Sequence, residues 1–528
     1  MREALSLAGI AASRGYAEGP LHRLDLAVGA YVRKTSAAAE SAALTDAVAT
    51  AVARVAALVA ATSGDSADIL EFQLAMLQDD ALSGPALDLI AEGRSAWDAW
   101  RSVMDGEIAG YEISSDAYFR ARAADLKDIR DQVLRALGGG TAEAMPPGAI
   151  LFGEDIAPTR FLETDWSKGG GIALMAGSSA SHVAMLARAR GVPMVVGLGA
   201  AAEGAAGLAL LDAESGRIVL GGTEADIARF RAARNAYLKR AEAADRFLAG
   251  PAVTADGTEV QVHVNIADPA DTDGIDIATC DGVGLMRTEF LFGKGLPDEE
   301  TQYRAYRKVL EWADSKPVTI RTVDAGGDKP VAGFTVAEGN PFLGLRGIRL
   351  SLARPDIFRV QIRALLRAAA HGNLKVMFPM IAVPAEYARA AALFAEESEA
   401  LASAGIAHAM PPLGIMVEVP SVAIAPEAFA DAAFFSIGSN DLTQYVMAAA
   451  RDNAAVAALN DVRNPAVLRL IGDVAAFGAT HDIPVSLCGD AGGDPAAIPV
   501  LLAAGLRVLS AASAQLAAAK AAVAEASL

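Results

Sequence analysis

The chain has 528 residues, 53% of them hydrophobic, and a formal net charge of −19. That length exceeds one ordinary core and predicts two or three domains, and the apolar content excludes a disordered chain. The negative charge excludes a broad nucleic-acid surface but accommodates a partner with a basic face, and two cysteines, Cys280 and Cys488, make no disulfide framework and fit a reducing compartment.

Residues 1 to about 22 read as strand and turn, with Gly9, Gly15 and Gly19 as punctuation. Neither a cleavable leader nor a run of ~18 uninterrupted apolar residues is present, so no membrane partner is expected and the location reads as cytoplasmic. From about 25 to 138 the pattern is helical; Ile69, Leu70, Phe72, Leu74, Met76 and Leu77 recur at three and four spacing. Gly138, Gly139 and Gly140 close the block. Residues 143–222 alternate short β-like runs (AILFG, GIALMAG, PMVVG, LALLD, RIVLG) with loops and one helix, a small α/β domain. A charged helical stretch over 223–248 ends at Gly250-Pro251 and reads as a linker helix.

From 251 onward eight apolar runs alternate with helical segments: Val260–Ile266, Val283–Met286, Val318–Val323, Leu374–Met380, Leu413–Val417, Phe434–Ile437, Val485–Cys488 and Arg507–Leu509. Eight βα units over this length predict a TIM barrel, whose chemistry sits at the C-terminal ends of its strands. Those ends carry Asn265, Arg287 with Glu289, Arg321 with Asp324, Glu418, Asn440 with Asp441, and Cys488. Arg287, Arg321, Lys329, Arg346 and Arg451 supply guanidinium and ammonium groups for phosphate and carboxylate oxygens. Glu418 and Asp441 are the oxygen pair that Mg²⁺ or Mn²⁺ takes together with substrate and water. The set describes a site for a small, multiply anionic substrate bound with a divalent cation. Cys488, in VSLCGDAGGD, has two readings, a small packing residue or a thiol that delivers a proton to an enolate; Cys280 lies before its run and reads as structural. His182 follows a Gly/Ser loop at the start of an amphipathic helix, where free backbone N–H groups favour phosphate and imidazole can act as a nucleophile.

Read together, RTEFLF (287–292), IRTVDAGGDKP (320–330), NPFLGLRGIRL (340–350), MFPMI (377–381), VEVP (417–420), FFSIGSNDLTQY (434–445) and CGDAGGD (488–494) resemble Enzyme I of the phosphoenolpyruvate:sugar phosphotransferase system. DIAPT (155–159) and SHVAMLARARGVP (181–193) are similar to its phosphohistidine domain, and ILEFQLAMLQDD (69–80) with RARAADLKDI (120–129) to its carrier-binding helices. The resemblance covers essentially the whole chain. It implies a C-terminal TIM barrel plus an N-terminal α/β phosphohistidine domain with an inserted helical bundle. The phosphohistidine domain takes 1–24 and 139–222, the bundle 25–138, the linker helix 223–250, and the barrel, which also dimerises, 251–528.

The resemblance further implies that His182 takes the phosphoryl group of phosphoenolpyruvate and passes it to the histidine of the carrier HPr, releasing pyruvate. Arg287, Arg321, Lys329, Arg346, Asn440 and Arg451 would hold phosphoenolpyruvate, Glu418 and Asp441 the metal, and Cys488 the proton. Glu71 and Arg122 would face the carrier. Several positions depart from the family pattern: Ser178-Ser179-Ala180 lacks its arginine and threonine, Val183 replaces a small polar residue, Gln73 stands where a histidine is common in the carrier-binding helix, and Asp490 replaces a glutamate. The alanine-rich last 20 residues are expected to lack the family's ordered ending. Two rival readings are a pyruvate,phosphate dikinase or phosphoenolpyruvate synthase, which would need a nucleotide-binding domain, and a non-catalytic regulator that keeps the fold and binds phosphoenolpyruvate or HPr.

Overall fold

The computed structural model describes residues 4–24, 31–60, 65–113, 117–139, 145–177, 181–199, 207–292, 295–327, 331, 333–336, 338–450, 456 and 459–528. Two compact units divide the chain, Met1–Tyr237 and Leu238–Leu528.

In the first unit one eight-stranded sheet is assembled from both ends of its sequence. The early strands are β1 (Leu5–Ala8), β2 (Ile10–Ser13) and β3 (Tyr16–Arg23); the later ones are β4 (Ile150–Gly153), β5 (Gly171–Leu174), β6 (Met194–Val196), β7 (Leu208–Asp212) and β8 (Arg217–Leu220). Their order is β1-β8-β7-β3-β4-β5-β6-β2, with β3, β4, β5 and β6 parallel. Strands before residue 24 therefore pair with strands beyond residue 149, and the helices between them form an insertion. Five helices make up that insertion: Ala37–Ala60, Asp65–Leu77, Asp80–Ala91, Ala96–Glu112 and Ala117–Leu137. Leu44, Val55, Leu70, Trp100, Met104, Leu126, Ile129 and Val133 form its core. Helix Ala37–Ala60 is long and apolar enough to cross a membrane by length and composition. It carries Glu40, Asp46 and Arg54, and buries Leu44, Ala47, Ala51 and Val55 at three and four spacing against its neighbours.

In the second unit β9 (Ala252–Val253) lies antiparallel on β10 (Glu259–Ile266). The barrel strands follow as β11 (Val283–Met286), β12 (Val318–Arg321), β13 (Leu374–Phe378), β14 (Leu413–Val417), β15 (Phe435–Ile437), β16 (Val485–Leu487) and β17 (Val508–Ala512). Each pairs in parallel with the next, and β10 pairs with both β11 and β17, so eight strands close on themselves. Strand alternation sorts the side chains. Val260, Val262, Val264 and Ile266 of β10 pack outward with helix residues such as Tyr306, Val309, Phe358 and Ile362. Leu285, Met377, Met416, Phe434 and Cys488 form a separate interior cluster.

One expectation needs correction here. The last residues are ordered: Leu516–Glu525 is a helix that buries Leu516, Ala519, Lys520, Ala522 and Val523. Alanine is the best helix former, and its small side chain allows close packing on the barrel. Gln73, which stands where the family commonly has a histidine, is fully buried, and its amide donates to Asp128 at 3.1 Å. Asp128 also accepts from the Gln132 amide at 3.2 Å and from the Thr159 hydroxyl at 2.7 Å. Thr159 belongs to helix Pro158–Glu163, so this buried cluster ties the helical insertion to the α/β layer.

Candidate active site at the barrel mouth

The parallel closure puts every strand's C-terminal end on one rim, and the residues just past those ends converge. Arg321 ends β12, and its guanidinium donates to Glu289 at 3.0 Å, pairs with Asp324 at 3.1 Å and reaches Met416 Sδ at 3.6 Å. Arg346 donates from Nε and Nη2 to the two Asp324 oxygens, both at 3.0 Å. It also reaches the Asp441 carboxylate at 3.1 and 3.3 Å and the Tyr445 hydroxyl at 3.2 Å, and it lies over the Phe342 ring at 5.7 Å. Gly347, with φ +58, turns the chain directly after Arg346 into helix Ile348–Ala353; a Cβ there would press on Met380 and Asp324.

Glu418 follows β14. Its Oε1 accepts the backbone N–H of Met380 at 2.7 Å, and Met380 itself sits in the left-handed region at φ 60. A non-glycine residue there carries roughly 1–2 kcal/mol of strain. Asn440 and Asp441 open helix Ser439–Met447 after β15. Asn440 and Asp490 lock together, Nδ2 donating to the Asp490 carboxylate at 3.0 Å and Oδ1 accepting the Asp490 N–H at 3.2 Å. Cys488 follows β16; its carbonyl accepts from Asn265 Nδ2 at 3.2 Å, while Asn265 Oδ1 accepts from the Ser510 hydroxyl. Gly489 allows β16 to approach its neighbour, because a Cβ there would fall 1.9 Å from Ser439 Oγ.

Charge decides what this cluster can hold. Arg321 is 4% exposed, Arg346 1%, Asp324 0% and Glu418 1%. Burial works against the two guanidinium charges, but Glu289 and Asp324 around Arg321, and Asp324 and Asp441 around Arg346, outweigh it and fix both as cations. Among the described residues Glu418 has no such neighbour in contact, and burial, with Asp441 and Asp324 adding repulsion, pushes its carboxyl up to about 8. Among the described residues, four ionised carboxylates (Glu289, Asp324, Glu418, Asp441) would face two buried guanidiniums. The excess is then two negative charges, which one divalent cation matches, and Glu418 with Asp441 supplies the hard oxygen donors it prefers. The donor set therefore fits Mg²⁺ or Mn²⁺. Burial pushes the Cys488 thiol up to about 11, so it is protonated at neutral pH and able to give a proton.

The rim thus brings together Arg321, Arg346, Glu418, Asn440, Asp441 and Cys488 from the predicted set. Arg287 follows β11 on the exposed side of the rim. Lys329 and Arg451 lie outside the described residues. Asp324 and Glu289 stood out in the sequence only as charged strand ends, and Tyr445 and Met380 gave no chemical signal at all; an aromatic and a methionine in an apolar run look like core. Cys280 is buried before β11, its thiol directed at the Ile277 carbonyl at 3.8 Å, consistent with a packing residue.

In the first unit, His182 begins helix His182–Ala189, and the Ser181 hydroxyl caps it by accepting the Ala184 N–H at 3.2 Å. The His182 side chain and residues 178–180 lie outside the described set. Val183 is buried with Leu151, Phe161 and Ile172, so the departure at this position is a core contact. Glu71 is half-buried on helix Asp65–Leu77; the Arg122 side chain lies outside the described residues. An open cleft of about 530 Å³ in the helical insertion is lined by Arg33, Arg94 and Arg101 together with Asp98 and Asp105, and includes none of the predicted residues.

Comparison with known proteins gives a consistent result. Residues 241–528 match the family described as "PEP-utilising enzyme, PEP-binding domain", 145–224 "PEP-utilising enzyme, mobile domain" and 8–122 "PEP-utilising enzyme, N-terminal". A phosphoenolpyruvate-protein phosphotransferase of Geobacillus stearothermophilus is 38% identical over 515 residues, covering 94% of this chain and 89% of its own length. The protein of the same name from Bacillus sp. (strain S) is 38% identical over 524 residues, with the same coverage, and that of Enterococcus faecalis is 35% identical over 524 residues, covering 95% and 90%.

Proposed function

This chain belongs to the phosphoenolpyruvate–protein phosphotransferase family, and from that premise we propose that it transfers the phosphoryl group of phosphoenolpyruvate to its own His182 and then to a histidine of an HPr-like carrier, releasing pyruvate. The observation that carries this reading is the buried constellation of Arg321, Arg346, Glu418, Asp441 and Cys488 on one barrel rim. Arg321 and Arg346, joined by Arg287, Lys329, Asn440 and Arg451, hold the phosphate and carboxylate of the substrate. An imidazole nitrogen of His182 attacks phosphorus in line while the bond from phosphorus to the enol oxygen breaks. The charge that develops on the equatorial oxygens is offset by guanidiniums already fixed in place. The departing enolate takes a proton on carbon from the Cys488 thiol, giving pyruvate, and solvent restores the thiol. Glu418 and Asp441 would hold the divalent cation, which when bound supplies positive charge beside the substrate oxygens.

The division into a phosphohistidine layer, a helical carrier-binding insertion, a linker helix and a barrel suits this cycle. His182 must serve the substrate site and the carrier in turn, and a linker of 223–250 separates the two tasks. Glu71 and Arg122 are the proposed carrier contacts. For dimerisation through the barrel, Val336, Leu343, Val383 and Ile424 are exposed apolar side chains that follow the ends of the adjacent strands β12, β13 and β14. A cytoplasmic location fits a protein that feeds a soluble carrier. No observation at the site favours the dikinase or the non-catalytic reading.

The test is incubation of the full chain with labelled phosphoenolpyruvate and Mg²⁺. Label should appear on wild type, be absent from His182→Ala, and form without keeping pace in pyruvate release in Cys488→Ser. EDTA should abolish it and Mg²⁺ or Mn²⁺ restore it. An unlabelled wild type would favour the sensor reading, and transfer to AMP but not to HPr would favour the dikinase.

A further inference from the structure

Asp324 bridges the two buried guanidiniums of the mouth. It is fully buried, and each of its oxygens accepts from Arg346 while Oδ2 also pairs with Arg321 at 3.1 Å. Two guanidiniums that repel each other are thereby held at a separation set by one carboxylate. Asp324 is itself fixed from behind: its backbone N–H donates to Glu289 Oε1 at 2.9 Å, and the other Glu289 oxygen accepts from Arg321 at 3.0 Å. Glu289 in turn follows β11 and Asp324 follows β12, so the bridge joins adjacent strands. On the far side, the Tyr445 hydroxyl accepts from Arg346 Nη1 and donates to the Phe342 carbonyl at 2.6 Å, closing the cage around that guanidinium. Arg321 keeps a buried Nε with no partner, so its donor set is incomplete without a further acceptor.

We propose that Asp324, ordered by Glu289, is a positioning residue that sets the spacing and plane of the Arg321 and Arg346 guanidiniums for the transferred phosphoryl group. This rests on the phosphotransferase reading above. Asp324 makes no contact with the reacting atoms; it acts through the two arginines. Its charge is unfavourable to an anionic substrate, so its removal leaves ground-state attraction intact or strengthened. What is lost is orientation at the moment of transfer, where a displacement near 1 Å costs about 100-fold.

The experiment measures phosphorylation of the full chain by phosphoenolpyruvate at saturating and limiting substrate, together with melting temperature, in a double-mutant cycle. Asp324→Asn should lower kcat about 10- to 100-fold while KM changes by less than about threefold. Arg346→Lys cannot receive both Asp324 oxygens in the same way. In that background Asp324→Asn should therefore add less than about threefold, the non-additivity of a residue that acts through Arg346, while the kcat-against-KM split separates this from a merely structural loss. Additive losses, or a loss confined to KM, overturn the proposal while leaving the phosphotransferase reading in place; a wild type that takes no phosphate overturns that reading instead. Should Asp324→Asn fail to fold, Glu289→Gln carries the test: it should show the same split at smaller size, and an unchanged kcat overturns the proposal.

Discussion

At the scale of single residues the mouth is arranged against its own stability. Glu418 is buried beside Asp441 and Asp324, its Oε1 accepts a hydrogen bond from Met380 N–H, and among the described residues its charge has no guanidinium in contact. Without a cation the carboxyl is pushed up to about 8 and must take up a proton at neutral pH, which costs stability relative to the unfolded chain. Glu418→Gln keeps the shape and the hydrogen-bond acceptor while removing the charge. In chelator at neutral pH this variant should therefore melt at a higher temperature than wild type, by a few degrees if the relief is on the order of 1 kcal/mol for a unit of this size. The same variant should lose the stabilisation that Mg²⁺ gives wild type, and phosphorylation with it. A lower melting temperature in chelator would mean that Glu418 is neutralised in some other way. This residue shows what sequence reading can and cannot supply. Its candidacy as a donor was legible from its place at a strand end, because carboxylate oxygens suit Mg²⁺. Its burial, and the fact that Arg346 rather than solvent faces Asp441, were not, since nothing local to VEVP encodes what the loop at 340–347 will cover.

At the scale of elements the eight runs were legible because parallel barrel strands are buried on both faces and read as short apolar stretches. Where a run overshot its strand, the reason is specific. Val323 continues the pattern of β12 but packs under the mouth loops with Phe292 and Phe334, and Met380 continues that of β13 into a left-handed turn. Strand β10 is the informative case: its outward row is valine and isoleucine, while its inward row is Gln261, His263 and Asn265. His263 Nε2 lies 3.2 Å from Gln261 Oε1, an arrangement that needs the proton on Nε2. Burial, together with Lys375 and against the attraction of Asp281, lowers its pKa to about 4. The neutral ring is thus the folded form. A histidine depressed in this way contributes stability that is complete above its unfolded value near 6.5 and is lost as pH falls towards 4, amounting to about 3 kcal/mol over the full range. His263→Gln can keep a hydrogen bond to Gln261 and has nothing to titrate. Between pH 6.5 and 5 the raised Glu418 carboxyl acts in the opposite direction and is common to both proteins, so the readout is the difference: thermal unfolding of wild type should shift downward relative to that of His263→Gln. Parallel slopes in that window would place the neutral histidine elsewhere than the barrel interior.

At the scale of the whole molecule the charge of −19 acts on two partners of opposite character. Phosphoenolpyruvate is a small polyanion approaching an acidic chain, while the described rim groups nearly balance: Glu289, Asp324 and Asp441 face Arg321, Arg346 and Arg287, and Glu418 is pushed towards its neutral form. The arginines attract it only at contact, because charges farther apart than about 10 Å are screened at 0.1 M salt. Long-range approach is therefore governed by the net charge of the chain, which opposes an anionic substrate. A carrier that works with this chain must come to an acidic protein, and a basic docking face is the way to make that encounter fast. The two half-reactions should consequently respond to ionic strength with opposite sign. Raising monovalent salt from about 20 to 300 mM at fixed free Mg²⁺ should leave unchanged or speed phosphorylation at limiting phosphoenolpyruvate, by weakening the overall repulsion. The same change should slow second-order transfer from the phosphorylated chain to the carrier about tenfold or more, within the range reported for steered encounters. Rapid-quench measurement of each step with labelled phosphate separates them. If both steps slow in parallel, the arginines of the mouth dominate the approach of the substrate as well, and the net charge of the chain has no part in ordering its partners; if carrier transfer ignores salt, docking is apolar and the acidic surface serves solubility alone.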